Sequence, residues 1–217
     1  MLDAPVLARE AAYRRLRSDI ISCRLPPGTE LREAELAEQF AVSKSPVRDA
    51  LHRLVAERLV NVLPRRGYQI AQISLKDAQE LREFRAVLEQ ACATLATKVA
   101  TAEELRGLDR YRAFGGETAE DFIAYNRDFH EAVTRTSHNS RMADYAQNLA
   151  DYHDRLVRVS ISNTTPENYE SFVREHGEIV DALQARDGRK AVRLIGAHIK
   201  RGGKRITAAL TRAAVVL

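Results

Sequence analysis

Four side chains on three helical segments have the types and spacing to hold one cation. Asn126 and His130 sit i, i+4 within 122-FIAYNRDFHEAV-133, so both project from one face of a helix. His176 lies in 174-REHGEIVDAL-183 and His198 in 196-GAHIKR-201, which are further helical patterns. Neutral imidazole suits zinc and other divalent first-row metals, and an amide oxygen is a poorer ligand than a carboxylate. Phe129 beside His130 and the apolar residues after His176 suit an inward-facing site. Spacing alone leaves the plainer alternative open, since the chain has six histidines and lone helical histidines are ordinary surface or core residues. Glu131 and Glu175 adjoin His130 and His176 but point about 100° around their helices, so neither reads as a general base.

A second chemistry lies in 41-AVSKSPVRDALHRLVAERLV-60. Lys44 and Arg48 share an exposed stripe at i, i+4, while Val47, Leu51, Leu54 and Val55 run at helical spacing on another face. A cation near a helix N-terminus opposes the dipole, so Lys44 is not there for helix stability. Lys and Arg read guanine O6 and N7, and Ser43 or Ser45 can bond a phosphate or a base. Arg53, and Arg65, Arg66 and Gly67 in the segment 59-LVNVLPRRGYQIAQI-73, suit phosphate or minor-groove contacts. The alternative is a solvated basic helix beside an unrelated hairpin.

These groups need elements to place them. The chain has 217 residues, normal apolar content and a net charge of +4. Within residues 42–68, six Lys and Arg face two Asp and Glu, so the excess gathers around the basic helix. No apolar run reaches the ~20 residues of a membrane span and no signal peptide opens the chain, which predicts a cytoplasmic protein. Cys23 and Cys92 form no CxxC pair and read as buried free thiols in helical patterns.

The fold class predicted is mainly α, with an N-terminal winged helix-turn-helix over 1–73 and a C-terminal antiparallel six-helix bundle over 74–217. Leu7, Ala11, Leu16 and Ile20 pattern a first helix ending before Pro26-Pro27-Gly28. The helix 33-EAELAEQF-40, the turn Ala41-Val42-Ser43 and the basic helix follow, with Ser43 or Ser45 as its cap and Pro46 in its first turn. Leu36, Phe40, Val47, Leu51 and Leu54 bury one face of that pair, and a two-stranded hairpin with a basic tip closes the unit. Residues 70–76 read as a linker. Helical patterns then cover 75–99, 102–113, 118–136, 140–162, 167–186 and 188–213, with breaks at Thr101, Gly115-Gly116, Ser137–Ser140, Thr164-Thr165-Pro166 and Asp187-Gly188.

Residues 25-LPPGTELREAELAEQFAVSKSPVRDALHRLVAERLVNVLPRRGYQI-70 resemble the winged helix-turn-helix of the GntR family of bacterial transcription regulators, through PPG, LAE, VS, PVR-AL and RRG. The resemblance implies that Lys44, Ser45 and Arg48 read bases and that Arg66 and Gly67 form the wing tip. Two departures stand out: Ala41 replaces the usual turn Gly, and Lys44 replaces a more usual Arg and lacks its planar fork. Region 75–205 resembles the FCD ligand-sensing domain of the FadR-type subfamily through 84-FRAVLE-89, 126-NRDFHEAV-133, 138-HN-139, 175-EHGEIVDALQARD-187 and 197-AHI-199. Six helices rather than seven resemble its VanR-like branch.

That resemblance implies a bound divalent metal, often zinc, with nickel or manganese as alternatives. The matching positions are Asn126, where the family has Asp, and His130, His176 and His198. Such a neutral donor set leaves the ion at +2 and welcomes a small carboxylate effector. Arg85 matches a family arginine near the effector cavity; the alternative is an intrahelical pair with Glu89. Tyr152 and Arg155 are effector candidates from helical position. His52 reads as exposed, His138 as part of a turn, and His153 is not assigned a direction. The expected function is a homodimeric, ligand-responsive regulator, a repressor on a palindromic operator in the nucleoid. The alternatives are a metal-dependent hydrolase on a DNA-targeting module and a DNA-binding protein whose bundle only dimerises.

Overall fold

The computed structural model describes residues 4–161 and 169–215. It divides into two compact units, Met1–Ile73 and Ser74–Leu217.

In the first unit, α1 (Ala4–Ile21), α2 (Glu33–Gln39) and α3 (Lys44–Ala56) accompany strands β1 (Glu30–Leu31), β2 (Val60–Leu63) and β3 (Gly67–Ile70). Leu16, Ile20, Val47, Leu51, Leu54, Leu59 and Ile70 have no exposed surface and form the core. Of the residues whose spacing marked α1, Leu16 and Ile20 are buried while Leu7 and Ala11 are exposed, and Ala12 is buried beside them. One residue turns a helix by about 100°, so the neighbour takes the inward position.

The hairpin is also larger than expected. β3 is the central strand, with β2 and β1 antiparallel on either side. A two-residue strand carries no alternating pattern by which β1 could be read. It is placed by the Pro26-Pro27-Gly28 turn, where Gly28 has φ +87° and its N–H donates to the Ile70 carbonyl at 2.9 Å. Gly67, at φ +109°, opens β3, and a Cβ there would lie 2.7 Å from the Leu31 carbonyl oxygen.

Between α2 and α3 the chain makes a Schellman turn. The Val42 N–H donates to Ala37 O (3.0 Å) and the Ala41 N–H to Glu38 O (3.1 Å). Ala41 holds the left-handed position, φ +53°, where glycine is preferred. Ser43 takes the N-cap position of α3 but makes no side-chain cap bond. Cys23 lies just beyond α1 at φ +57° and is only partly buried, unlike the buried Cys92.

In the second unit, α4 (Leu75–Val99) is followed by α5 (Ala102–Arg106), a 3₁₀ helix (Gly107–Arg112), α6 (Ala119–Arg135), α7 (Ser140–Ile161), α8 (Tyr169–Gln184) and α9 (Gly188–Val215). The pattern read as one helix over 102–113 is thus a short α-helix running into a 3₁₀ helix. The expected break at Thr164-Thr165-Pro166 lies outside the described residues. Helix starts follow local chemistry. Ser74 Oγ accepts from Asp77 N at 2.9 Å, and the linker is correspondingly short. Thr101 with Glu104 and Thr118 with Asp121 form capping boxes for α5 and α6. Phe129, Val133, Ile179, Leu183, Ile195 and Ile199 make the core with Ala93 and Ala96. Gly196 lets Gln90 of α4 lie against α9, since a Cβ there would fall 2.5 Å from Gln90 Nε2.

Replacing Ala41 by Gly relieves the left-handed turn. The expected gain is about 0.5–1 kcal/mol, net of the freedom glycine adds to the unfolded chain. Urea unfolding followed by a probe in the N-terminal unit measures it; an unchanged or lower midpoint would contradict the strain.

Candidate functional site

His130 (α6), His176 (α8) and His198 (α9) meet in the second unit, each at most 5% exposed, with one ring nitrogen apiece inside a 4.8 Å span. The Nε2 atoms of His130 and His198 are 3.2 Å apart. Each ring is held from its other side. His130 Nδ1 is 2.6 Å from Glu89 Oε2, His198 Nδ1 is 2.7 Å from Glu175 Oε2, and His176 Nδ1 is 3.1 Å from the Tyr125 hydroxyl.

These partners dictate the tautomers. An ionised carboxylate only accepts, so His130 and His198 carry their proton on Nδ1. The Tyr125 hydroxyl donates to the Tyr111 carbonyl at 2.7 Å, so its oxygen accepts from His176 Nδ1. All three Nε2 atoms are then bare lone pairs turned toward one another. His176 Nε2 is buried and has no hydrogen-bond partner.

Electrostatics agree. Burial alone would raise Glu89, but Arg85 and His130 hold its carboxyl down to about 2. Burial, then Arg85, lowers His130 to about 4 against the pull of Glu89. Burial also lowers His176 and His198, the latter opposed by Glu175. Three neutral rings with converging lone pairs and an orphaned buried nitrogen fit a divalent cation. The outward partners are of the kind that orient metal-binding histidines.

A cavity of about 70 Å³ adjoins this centre. Asn126, His130 and His198 line it with Arg85 of α4, His153, Asp154 and Val157 of α7, and Phe122, Tyr169, Phe172 and Arg205. Arg85 is buried and donates from Nε to Glu89 at 2.5 Å. Arg85 thus makes the pair with Glu89 that was read as its alternative role, and it also lines the cavity.

In the first unit Ser43, Lys44, Ser45, Arg48, Arg53, Arg65 and Arg66 are all exposed. Arg48 pairs with Glu33 of α2 (Nη2–Oε2 2.7 Å). Arg53 lies over the Tyr13 ring, 3.5 Å from its centroid, and bonds Glu10 at 2.8 Å. Arg66, at the tip between β2 and β3, pairs with Glu30 at 2.5 Å.

The comparisons follow this division. A model for bacterial regulatory proteins of the gntR family matches residues 8–70, and an FCD domain model matches residues 80–201. The HTH-type transcriptional repressor RspR of Escherichia coli K12 is 31% identical over 193 residues, covering 87% of this chain and 84% of its own. This chain belongs to the GntR family. The regulator YdhC of Bacillus subtilis is 28% identical over 205 residues, covering 91% and 90%. The fold is shared with E. coli McbR/YncC (TM-score 0.74, 21% identity, 93% and 95% covered). A regulator from Rhodococcus sp. RHA1 is also similar (TM-score 0.69, 23% identity, 91% and 96% covered). These GntR relatives are DNA-binding transcriptional regulators, not enzymes, which sets the hydrolase alternative aside.

Some expectations shift within this GntR protein. Tyr152 and Arg155 were expected at the effector cavity, but α7 turns His153, Asp154 and Val157 to it instead. Asp154 is tied to Arg127 at 2.8 Å, and burial raises its carboxyl. His138 sits in a left-handed turn and bonds Glu104, and His52 is exposed, so both stay outside the centre. The outward partners Glu89, Tyr125 and Glu175 were not anticipated. Glu175 serves His198 on the next helix, not its neighbour His176.

The lowered imidazoles fix a pH dependence. The unfolded chain, with histidines near 6.5, binds more protons than the folded one below that pH. Stability of the metal-free protein is therefore full above about pH 6.5 and falls as pH drops toward 4. Melting curves at steps across that window measure it; a flat profile would contradict neutral buried rings.

Proposed function

We propose that this GntR regulator is a homodimeric repressor released by a small carboxylate effector bound beside a divalent metal in the FCD cavity. The observation that carries this reading is the convergence of three buried imidazoles, two of which, His130 and His198, stand at the wall of a cavity that Arg85 also lines. His130, His176 and His198 would hold the ion, with the Asn126 amide on the same wall. Zinc suits this nitrogen-rich set first, with nickel or manganese as alternatives. When bound, the metal supplies a positive centre for an anionic group.

Arg85 supplies the second anchor. Nε is given to Glu89, and its other guanidinium N–H groups have no partner among the described residues. They can donate to a carboxylate. The cavity, of about 70 Å³, suits a small effector.

Operator reading rests on α3 and the wing. Lys44, Ser45 and Arg48 face the bases, and Ser43, Arg65, Arg66 and Gly67 approach the backbone. Arg53 also packs over Tyr13 and bonds Glu10, both on α1. One helix-turn-helix reads few base pairs, so two copies on a palindrome are required. Phe84 and Val87, 51% and 68% exposed on α4, give an apolar face for the second copy. A coupling of about 1–3 kcal/mol changes operator affinity roughly 5–150-fold, enough for induction in the cytoplasm.

His176→Ala removes one nitrogen of the centre. Metal content should fall from one ion per chain to a small fraction, and the response to added carboxylates should disappear. Binding to operator DNA without effector should persist. Unchanged metal content would refute the site. Arg48→Ala should weaken specific binding by roughly 5–150-fold per half-site while the dimer persists, measured by footprinting and by sedimentation. An intact footprint would remove Arg48 from the interface.

A further inference from the structure

The pairing of Arg48 with Glu33 is more particular than a surface ion pair. Arg48 donates to the Glu33 carboxylate from Nε, at 3.0 and 3.1 Å, and from Nη2, at 2.7 Å. Nε and Nη2 form the side edge of the guanidinium. The end edge, Nη1 with the second N–H of Nη2, has no partner among the described residues. An arginine presents such a two-donor edge to guanine O6 and N7.

Glu33 is itself held. It is the first residue of α2, where the helix dipole favours a carboxylate, and its side chain is only 20% exposed. Tyr68, buried in β3, donates its hydroxyl to Glu33 Oε1 at 3.3 Å. Arg48 draws Glu33 below the ordinary carboxylate range. One carboxylate thus joins the first helix of the pair, the second helix and the wing strand at the guanidinium of Arg48. Lys44, one turn earlier on the same stripe, has no such partner among the described residues.

We infer that Glu33 is a specificity-determining positioning residue, which clamps the side edge of Arg48 and presents its end edge to one guanine of the operator. This rests on the reading of α3 as the base-contacting helix. Glu33 touches no base. Its negative charge also repels DNA phosphates, so it lowers indiscriminate binding while sharpening one position. A clamp and a competitor make opposite predictions. If Glu33 only sequestered Arg48, its removal would strengthen specific binding.

The test uses the full-length protein and a randomised duplex library, with base preference scored position by position after selection. Arg48→Ala first identifies the position whose guanine preference depends on Arg48; if no position changes, the reading of α3 fails and the inference falls with it. At that position, Glu33→Ala should reduce guanine preference roughly tenfold and leave the other positions unchanged. Binding to a non-cognate duplex at low salt should hold or increase. Glu33→Gln keeps one oxygen acceptor and the side-chain volume, and should lie between the two; it also serves if the alanine variant does not fold. Tyr68→Phe, which frees Glu33 on one side, should cause a smaller loss at the same position. An undiminished guanine preference in both Glu33 variants, a uniform loss at every position, or tighter specific binding would overturn the inference.

Discussion

The second unit is organised by three hydrogen bonds that point away from its centre. Glu89, Tyr125 and Glu175 each accept a hydrogen bond from the Nδ1–H of one imidazole, which leaves three Nε2 lone pairs facing inward. Between them these groups occupy α4, α6, α8 and α9, so the tautomers and the helix packing are set together. Bare nitrogens 3.2 Å apart repel, and their burial disfavours the proton that would relieve them. A cation held at this point would therefore bear on how four helices meet. Arg85 extends the constraint to the cavity, because the same arginine neutralises Glu89 and lines the ligand space.

The first unit uses the same device at its surface. A glutamate fixes one edge of Arg48 and a tyrosine fixes the glutamate. Flexible functional groups are costly to order, so a group held before its partner arrives loses less entropy on binding. Arg66 is paired with Glu30 in a comparable way, though both are more exposed and the pair contributes little by itself. Lys44 and Arg65 lack such pairs among the described residues, so their positions are not fixed in this way.

Local chemistry was legible in the sequence, and contacts between distant segments were not. Helix ends could be read because Ser74, Thr101 and Thr118 cap within three residues of themselves. The αL turn at Ala41 was legible through a resemblance that marks it as a glycine position. The family spacing brought out His130, His176 and His198, which the chain's histidine count alone would have left ambiguous. β1 escaped because two residues have no period, and its pairing depends on a turn forty residues from its partner. The α7 face escaped because Tyr152 and Arg155 were chosen by position along the chain, and at about 100° per residue they lie roughly half a turn around the helix from His153, Asp154 and Val157, which line the cavity. Glu89, Tyr125 and Glu175 escaped for a further reason. Each serves a histidine on another helix, so no spacing along the chain connects them.

The central claim is that the metal-free centre holds three neutral rings protonated on Nδ1 and bare on Nε2. Multiple-bond ¹H–¹⁵N NMR of the histidine rings in metal-free protein, at neutral pH, distinguishes a protonated from a bare ring nitrogen directly. The account predicts bare Nε2 signals for His130, His176 and His198, all shifting when one equivalent of zinc is added. An imidazolium bridging His130 and His198, Nε2-protonated rings, or signals that ignore zinc would contradict it.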